Sequence, residues 1–286
     1  MARDKDQVKE IEVAIAKGDI VKLVSILTTL DSALQKEVIG AISGELTDAK
    51  RRQSMANIKA LVSDADPQIR EWVKESTATV YVDGMNNADK QITKFGITTA
   101  GGKLTVEILK DNVDLQPHLA AVNALISSSY NDFGNGLTGL VRSSERIISE
   151  TSRRQIRQKL IDGRLVGSSI REIQKEIKDV LSNQGFTALV DRGGKKWSLK
   201  RYGEMLSRTH LLRANNEAII NRSLDFEIDI VQVSDHNTDT PICQKYEDNI
   251  YSISGNSKEY PKLPTQPPFH PNCKHRILMR PDLSRE

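Results

Sequence analysis

Apolar residues in the first half of the chain recur at helical spacing. Leu23, Ile26, Leu27, Leu30 and Leu34 fall at i, i+3, i+4, i+7 and i+11, one stripe of an α-helix. Val8, Ile11 and Ile15 repeat the pattern upstream, and Lys17-Gly18-Asp19 marks a break between the two, with Asp19 as the cap of the second. Val38, Ile42 and Leu46 continue on a third stripe. Asp66-Pro67 is a helix start signal, because Asp caps and Pro is tolerated in the first turn. A helix beginning there turns Ile69, Val73, Val80 and Ile92 inward, with Gly84 weakening its middle. Two glycine-bearing stretches, 98–102 and 132–136, read as loops or helix breaks.

The texture changes in the second half. Ser169 and Glu172 have the spacing of a capping box, followed by Ile170, Ile173, Ile177 and Val180 on one helix side. From residue 185 onward, two short apolar runs flank Asp191-Arg-Gly-Gly194 and predict a β-hairpin. Ser198 can cap a long helix over roughly 199–224, whose core side carries Tyr202, Met205, Leu206, Leu212, Ile219 and Ile220. Strands are predicted over 227–233 and around 250–253 and 276–279. The expected fold is mainly α: a helical N-terminal region over 1–150, a helical connector over 151–184, and a small α+β C-terminal module over 185–286. That module combines the long helix, short strands and a loop rich in Cys and His.

Composition narrows the class without assigning a function. The chain has 286 residues, 38% hydrophobic and 28% charged, enough apolar mass for one or two folded domains. No apolar run is long enough to predict a transmembrane helix, and the opening Met1-Ala-Arg-Asp-Lys-Asp leads into an amphipathic segment rather than a signal core. The expectation is synthesis in the cytoplasm and no membrane partner. Net charge is only +3, which accommodates nearby nucleic acid but does not require it. Arg153, Arg154, Arg157 and Lys159 form a basic patch, either a non-specific contact to DNA phosphates or a solvated helix face.

Candidate chemistry concentrates near the C-terminus. The chain has five His and two Cys, and His236, Cys243, His270, Cys273 and His275 lie within one 40-residue window. The last three form His-x-x-Cys-x-His. Thiolate and imidazole donors at such spacing suit tetrahedral Zn²⁺, and metal commonly stabilises small segments with little core. Cys243, Cys273 and His275 are the first three candidate ligands, with His236 or His270 as the fourth. A Cys243–Cys273 disulfide, a metal-free loop stitched by His side chains, and a catalytic Cys–His pair are the competing readings. An enzymatic alternative is a nuclease-like activity with His236 and His270 as acid–base groups. Against it, the chain shows no Gly-rich phosphate loop and no paired metal-binding carboxylates.

Ordered blocks across roughly 185–280 resemble the phage minor capsid protein 2 family. They are Gly193-Gly-Lys-Lys-Trp-Ser-Leu-Lys-Arg-Tyr-Gly-Glu-Met205, Arg208-Thr209, Val231-Gln-Val-Ser-Asp-His236, Pro241-Ile-Cys243, Ile250 to Gly255 with Tyr260-Pro261, and Phe269-His-Pro-Asn-Cys-Lys-His-Arg276. The His-Pro-Asn-Cys ending is also similar to the Mu F-like head morphogenesis proteins. Two positions depart from the family pattern: Thr240 stands where many relatives have Cys, and Lys274 where Arg is common. The resemblance implies a structural, non-enzymatic component of a tailed-phage head, in contact with portal or major capsid protein and tolerant of packaged DNA. A prophage remnant or toxin carrier is a further possibility, but the chain has no extra length beyond the module for a toxin domain. On the 199–224 helix, Thr209, Arg213 and Asn216 share a polar stripe that either docks the C-terminal loop or faces solvent. The family motif adds Arg208 as a docking or partner-contact residue.

Overall fold

The computed structural model describes residues 19–42, 47–99, 102–148, 158, 188–190 and 196–284. The elements in chain order are α1 (Asp19–Ile42), α2 (Asp48–Lys94), α3 (Val106–Asp111), a 3-10 turn (Val113–Leu115), α4 (Gln116–Ile148), β1 (Ala188–Val190), β2 (Lys196–Ser198), α5 (Leu199–Asp225), β3 (Ile230–Val233), α6 (Pro241–Gln244), β4 (Ile250–Ser252) and β5 (Ile277–Met279). The protein is mainly α, with a small antiparallel sheet near the C-terminus. The chain divides into two compact units, one of Met1–Ile20, Val73–Ser129 and Met205–Glu286, the other of Val21–Trp72 and Tyr130–Glu204.

Helix α1 follows its apolar stripe. Leu23, Leu27, Leu30, Leu34 and Val38 are buried, all within a single helix that starts at Asp19. Val8, Ile11, Ile15 and Leu46 lie outside the described residues, as do the predicted capping box at Ser169 and its helix. Helix α2 departs from expectation. It begins at Asp48, where the Thr47 hydroxyl accepts the Lys50 N–H at 3.2 Å, and it runs straight through Pro67. A mid-helix proline forfeits one backbone bond and costs about 3 kcal/mol. The buried side chains on both sides of it, Ile58, Ala65, Ile69 and Trp72, outweigh that cost.

The stretch 98–102 is non-helical where described, as expected. The stretch 132–136 is not a break, because α4 continues across it. Phe133, Leu137 and Leu140 bury there, and Phe133 meets Trp72 edge-on with ring centroids 6.1 Å apart. Gly136 is required by a neighbour: a Cβ would sit 2.9 Å from the Tyr202 ring. Gly84 likewise admits a close approach, since its Cβ would fall 2.8 Å from the Ala218 Cβ of α5.

Strands β1 and β2 pair antiparallel, with Leu189 opposite Trp197, and the predicted turn at Asp191-Arg-Gly-Gly194 lies outside the described residues. Ser198 caps α5 by accepting the Arg201 N–H at 3.3 Å. The second sheet has the order β4-β3-β5, antiparallel throughout. Its apolar face (Val231, Val233, Tyr251, Ile277 and Met279) packs with Ile219 and Ile220 of α5 and with Ala88 and Ile92 of α2.

A buried polar chain ties α2, α4 and α5 together in the same unit. Asn221 Nδ2 donates to the Tyr81 hydroxyl at 2.8 Å, and that hydroxyl lies 3.0 Å from His118 Nδ1. His118 Nε2 lies 2.8 Å from Asp225 Oδ2. Arg222 donates to Asp225 at 3.0 Å and grips Asp89 through Nε and Nη2 at 2.6 and 3.1 Å. With its hydroxyl enclosed, Tyr81 is held well above the ordinary tyrosine range, chiefly by burial.

Candidate metal centre

The sheet and α5 together place the C-terminal loop. Strand β3 ends at Val233 and delivers Ser234, Asp235 and His236 beside β5. Asn216 of α5 reaches across to this region. Its Nδ2 donates to the carbonyls of Pro267 and His275 at 3.0 and 3.3 Å, and its Oδ1 accepts the Ile277 N–H at 3.1 Å. Of the α5 polar stripe, Asn216 therefore does the docking. Arg208 is exposed. Arg153, Arg154, Arg157 and Lys159 lie outside the described residues.

Cys243, Cys273 and His275 converge. One donor atom from each lies within 4.8 Å of the others. Cys243 Sγ and Cys273 Sγ are 4.0 Å apart, and Cys273 Sγ is 3.4 Å from His275 Nδ1. All three are buried, at 1%, 8% and 2% exposure. Metal bonds of about 2.3 Å to sulfur and 2.0–2.1 Å to nitrogen at tetrahedral angles imply donor spacings of roughly 3.5–3.8 Å. The Cys243–Cys273 and Cys273–His275 spacings, 4.0 and 3.4 Å, bracket that range.

The loop brings each donor in by a different device. Cys243 sits in the short helix α6, which starts with Pro241 after Thr240. Asn272 adopts a left-handed φ of 65° just before Cys273, a conformation Asn tolerates, and the Cys273 N–H donates to the His270 carbonyl at 3.1 Å. His275 leads directly into β5.

A carboxylate that the sequence reading did not single out completes the arrangement. Glu247 Oε1 lies 3.0 Å from His275 Nε2. The Glu247 carboxylate also accepts the backbone N–H groups of His236 at 2.5 Å and Thr238 at 3.2 Å. The only sequence clue was its position, four residues after Cys243 and one turn beyond it. An outer carboxylate on a ligating imidazole fixes the ring and raises its donor strength.

Electrostatics follow from these contacts. Burial pushes the Cys243 thiol up to about 12, and the neighbouring Cys273 adds to the rise. Burial also acts against the Cys273 thiolate, but the His275 bond and nearby backbone N–H groups outweigh it and hold Cys273 below the usual thiol range. His275 is raised: burial opposes its charge, and the Cys273 and Glu247 contacts overcome that. Glu247 is lowered, with burial overcome by the His236 N–H, His275 and the Thr238 N–H.

The other two imidazoles are not among the three converging donors. His236 Nε2 is 3.0 Å from the Ser234 hydroxyl, which also accepts the Arg276 N–H at 2.9 Å. Its ring packs edge-on against His275, centroids 5.0 Å apart. His270 Nδ1 lies 2.7 Å from the Pro271 carbonyl and braces the loop locally. Phe269 stacks on Tyr246 at 4.5 Å and lies beside the His275 ring at 5.8 Å, closing one side of the cluster with apolar surface.

The fold and site define a helical protein whose C-terminal sheet carries a buried thiol–imidazole cluster, with no described helix long and apolar enough to cross a membrane. The model of one family, phage minor capsid protein 2, matches residues 46–278, and the chain belongs to that family. Neither a curated protein nor a solved structure matches it. Membership gives the chain a structural role in a bacteriophage particle, among other virion components.

Proposed function

We propose that the protein is a low-copy head component that acts in head morphogenesis at the portal or the major capsid protein, without enzymatic activity. The carrying observation is the family match, which spans helical region and C-terminal module alike. The long helices supply the contact surfaces. Packaged DNA is a non-specific neighbour. Reconstruction of procapsids and virions tests this. Density for the chain at the portal vertex or on the inner capsid wall supports the reading. Absence from every particle overturns it, as does plasmid cleavage by the pure protein that disappears in His236→Ala.

We further propose that Cys243, Cys273 and His275 hold one structural Zn²⁺, with His236 as fourth ligand once its ring leaves Ser234. Three buried donors of the right type within 4.8 Å support this. The chain's residues hold the ion away from solvent, and Glu247 orients His275. Elemental analysis of protein purified without chelator is expected to find about one zinc per chain. Its absence, with melting unchanged by chelator, sinks the metal reading and leaves the capsid reading standing.

A further inference from the structure

We infer that Cys243 and Cys273 form a redox-sensitive pair: an intramolecular disulfide closes when the protein meets a small-molecule disulfide oxidant, and any metal the pair holds is expelled. The metal clause rests on the zinc reading above; the disulfide does not.

The geometry is specific. The chain contains two cysteines only, so neither has another intrachain partner. Both are free, and their sulfurs are 4.0 Å apart across a separation of 30 residues. A disulfide needs about 2.05 Å, so the two sulfurs must close by roughly 2 Å. Cys243 lies in the one-turn helix α6, and Cys273 lies in an irregular loop after a left-handed Asn272. Neither backbone is part of a sheet ladder that would resist such a shift.

The order of events follows from access. Cys273 is 8% exposed and Cys243 1% exposed, so the oxidant reaches Cys273 first. The Cys273 sulfur attacks one sulfur of the oxidant, forming a mixed disulfide and releasing one small thiol. The Cys243 sulfur then attacks the Cys273 sulfur, forming the Cys243–Cys273 bond and releasing the second small thiol. The two cysteines lose two electrons, and the oxidant gains them. The two thiol protons end on the released small thiols; from the metal-bound form, solvent supplies them and the cation leaves.

The setting supplies both states. A phage particle is assembled where thiols are kept reduced and persists outside the host, where they are not. The cluster is thus open to metal or free thiols during assembly and to a covalent staple afterwards.

The test uses the full chain, prepared reduced, in zinc-loaded and chelator-stripped forms, each then exposed to oxidised glutathione. The stripped form is expected to lose both thiols together, with no retained glutathione and with one linked peptide containing Cys243 and Cys273. The loaded form is expected to release about one zinc per disulfide formed, read with a chromophoric chelator. Cys243→Ser is expected to stop at glutathione attached to Cys273. Two titratable thiols remaining after denaturation, or a stable mixed disulfide in the unmodified chain, overturns the inference. If no zinc loads at all, the metal reading fails while the stripped arm still decides the disulfide.

Discussion

Glu247 Oε1 and His275 Nε2 are 3.0 Å apart, and the same carboxylate holds the backbone N–H groups of His236 and Thr238. One side chain thus orients a candidate ligand and closes the loop that carries another. Replacing it separates the two tasks. Glu247→Ala is expected to weaken zinc binding by about 10–100-fold, because the imidazole loses its outer partner. It also lowers stability by about 1 kcal/mol, because two part-buried N–H groups lose their acceptor. Glu247→Gln keeps a carbonyl oxygen and is expected to fall between wild type and Ala in both. Chelator competition reads the first quantity and urea unfolding the second. Unchanged zinc affinity in Glu247→Ala would remove Glu247 from the metal centre.

Tyr81→Phe tests the buried polar chain. The ring still fits, but His118 Nδ1 and Asn221 Nδ2 lose the hydroxyl between them. The expected loss is about 1–3 kcal/mol in urea unfolding, the cost of leaving buried polar atoms unmatched. A variant as stable as wild type would mean that water replaces the hydroxyl without penalty.

Gly84→Ala sets helix propensity against packing. In an isolated helix the change gains about 1 kcal/mol. Here the new methyl would lie 2.8 Å from the Ala218 Cβ and 3.1 Å from the Asn215 carbonyl. Overpacking of this kind costs about 1–3 kcal/mol, so a net loss of stability is expected. Thermal unfolding checks the sign, and a rise in Tm would show that α2 and α5 are not in such close contact.

Acid sensitivity follows from two depressed carboxylates. Asp229 is lowered although burial opposes it, because it accepts from the Ser252 hydroxyl at 2.5 Å and the Ser254 N–H at 2.7 Å. Asp225 is lowered in the same sense, against burial, by His118 and Arg222. Both carboxylates hold protons more weakly folded than unfolded. Their stabilisation is therefore fully present above the unfolded Asp value of about 3.9 and is lost as pH falls through the lower folded values. Asp229→Asn is expected to be less stable than wild type near neutral pH and to lose less on acidification. Urea unfolding at a series of pH values reads the slopes, and parallel curves would contradict the assignment.

Local patterns are legible in the amino-acid sequence alone. The α1 stripe, the β1–β2 pairing, the Ser198 cap and the three short strands follow from periodicity and capping acting over a few residues. The donor trio Cys243, Cys273 and His275 was readable from residue type and crowding. Where the reading erred, a distant partner decided. Pro67 and the glycines at 134 and 136 look like breaks in isolation, yet α2 and α4 run through them because flanking side chains bury against other segments.

The amino-acid sequence by itself determined the helical character, the short C-terminal strands, the membership in its family and the kind of donor atom gathered near the end of the chain. Tertiary structure alone decided which donors meet. It brought Cys243 to Cys273 across 30 residues, set Glu247 behind His275, and turned His236 toward Ser234 and His270 toward its own loop. The reason is physical. Periodicity and capping act between neighbours in sequence, whereas a ligand set depends on chain path, and that path is fixed by a sheet packed on α5 and by Asn216 binding three backbone groups from the far end of the chain.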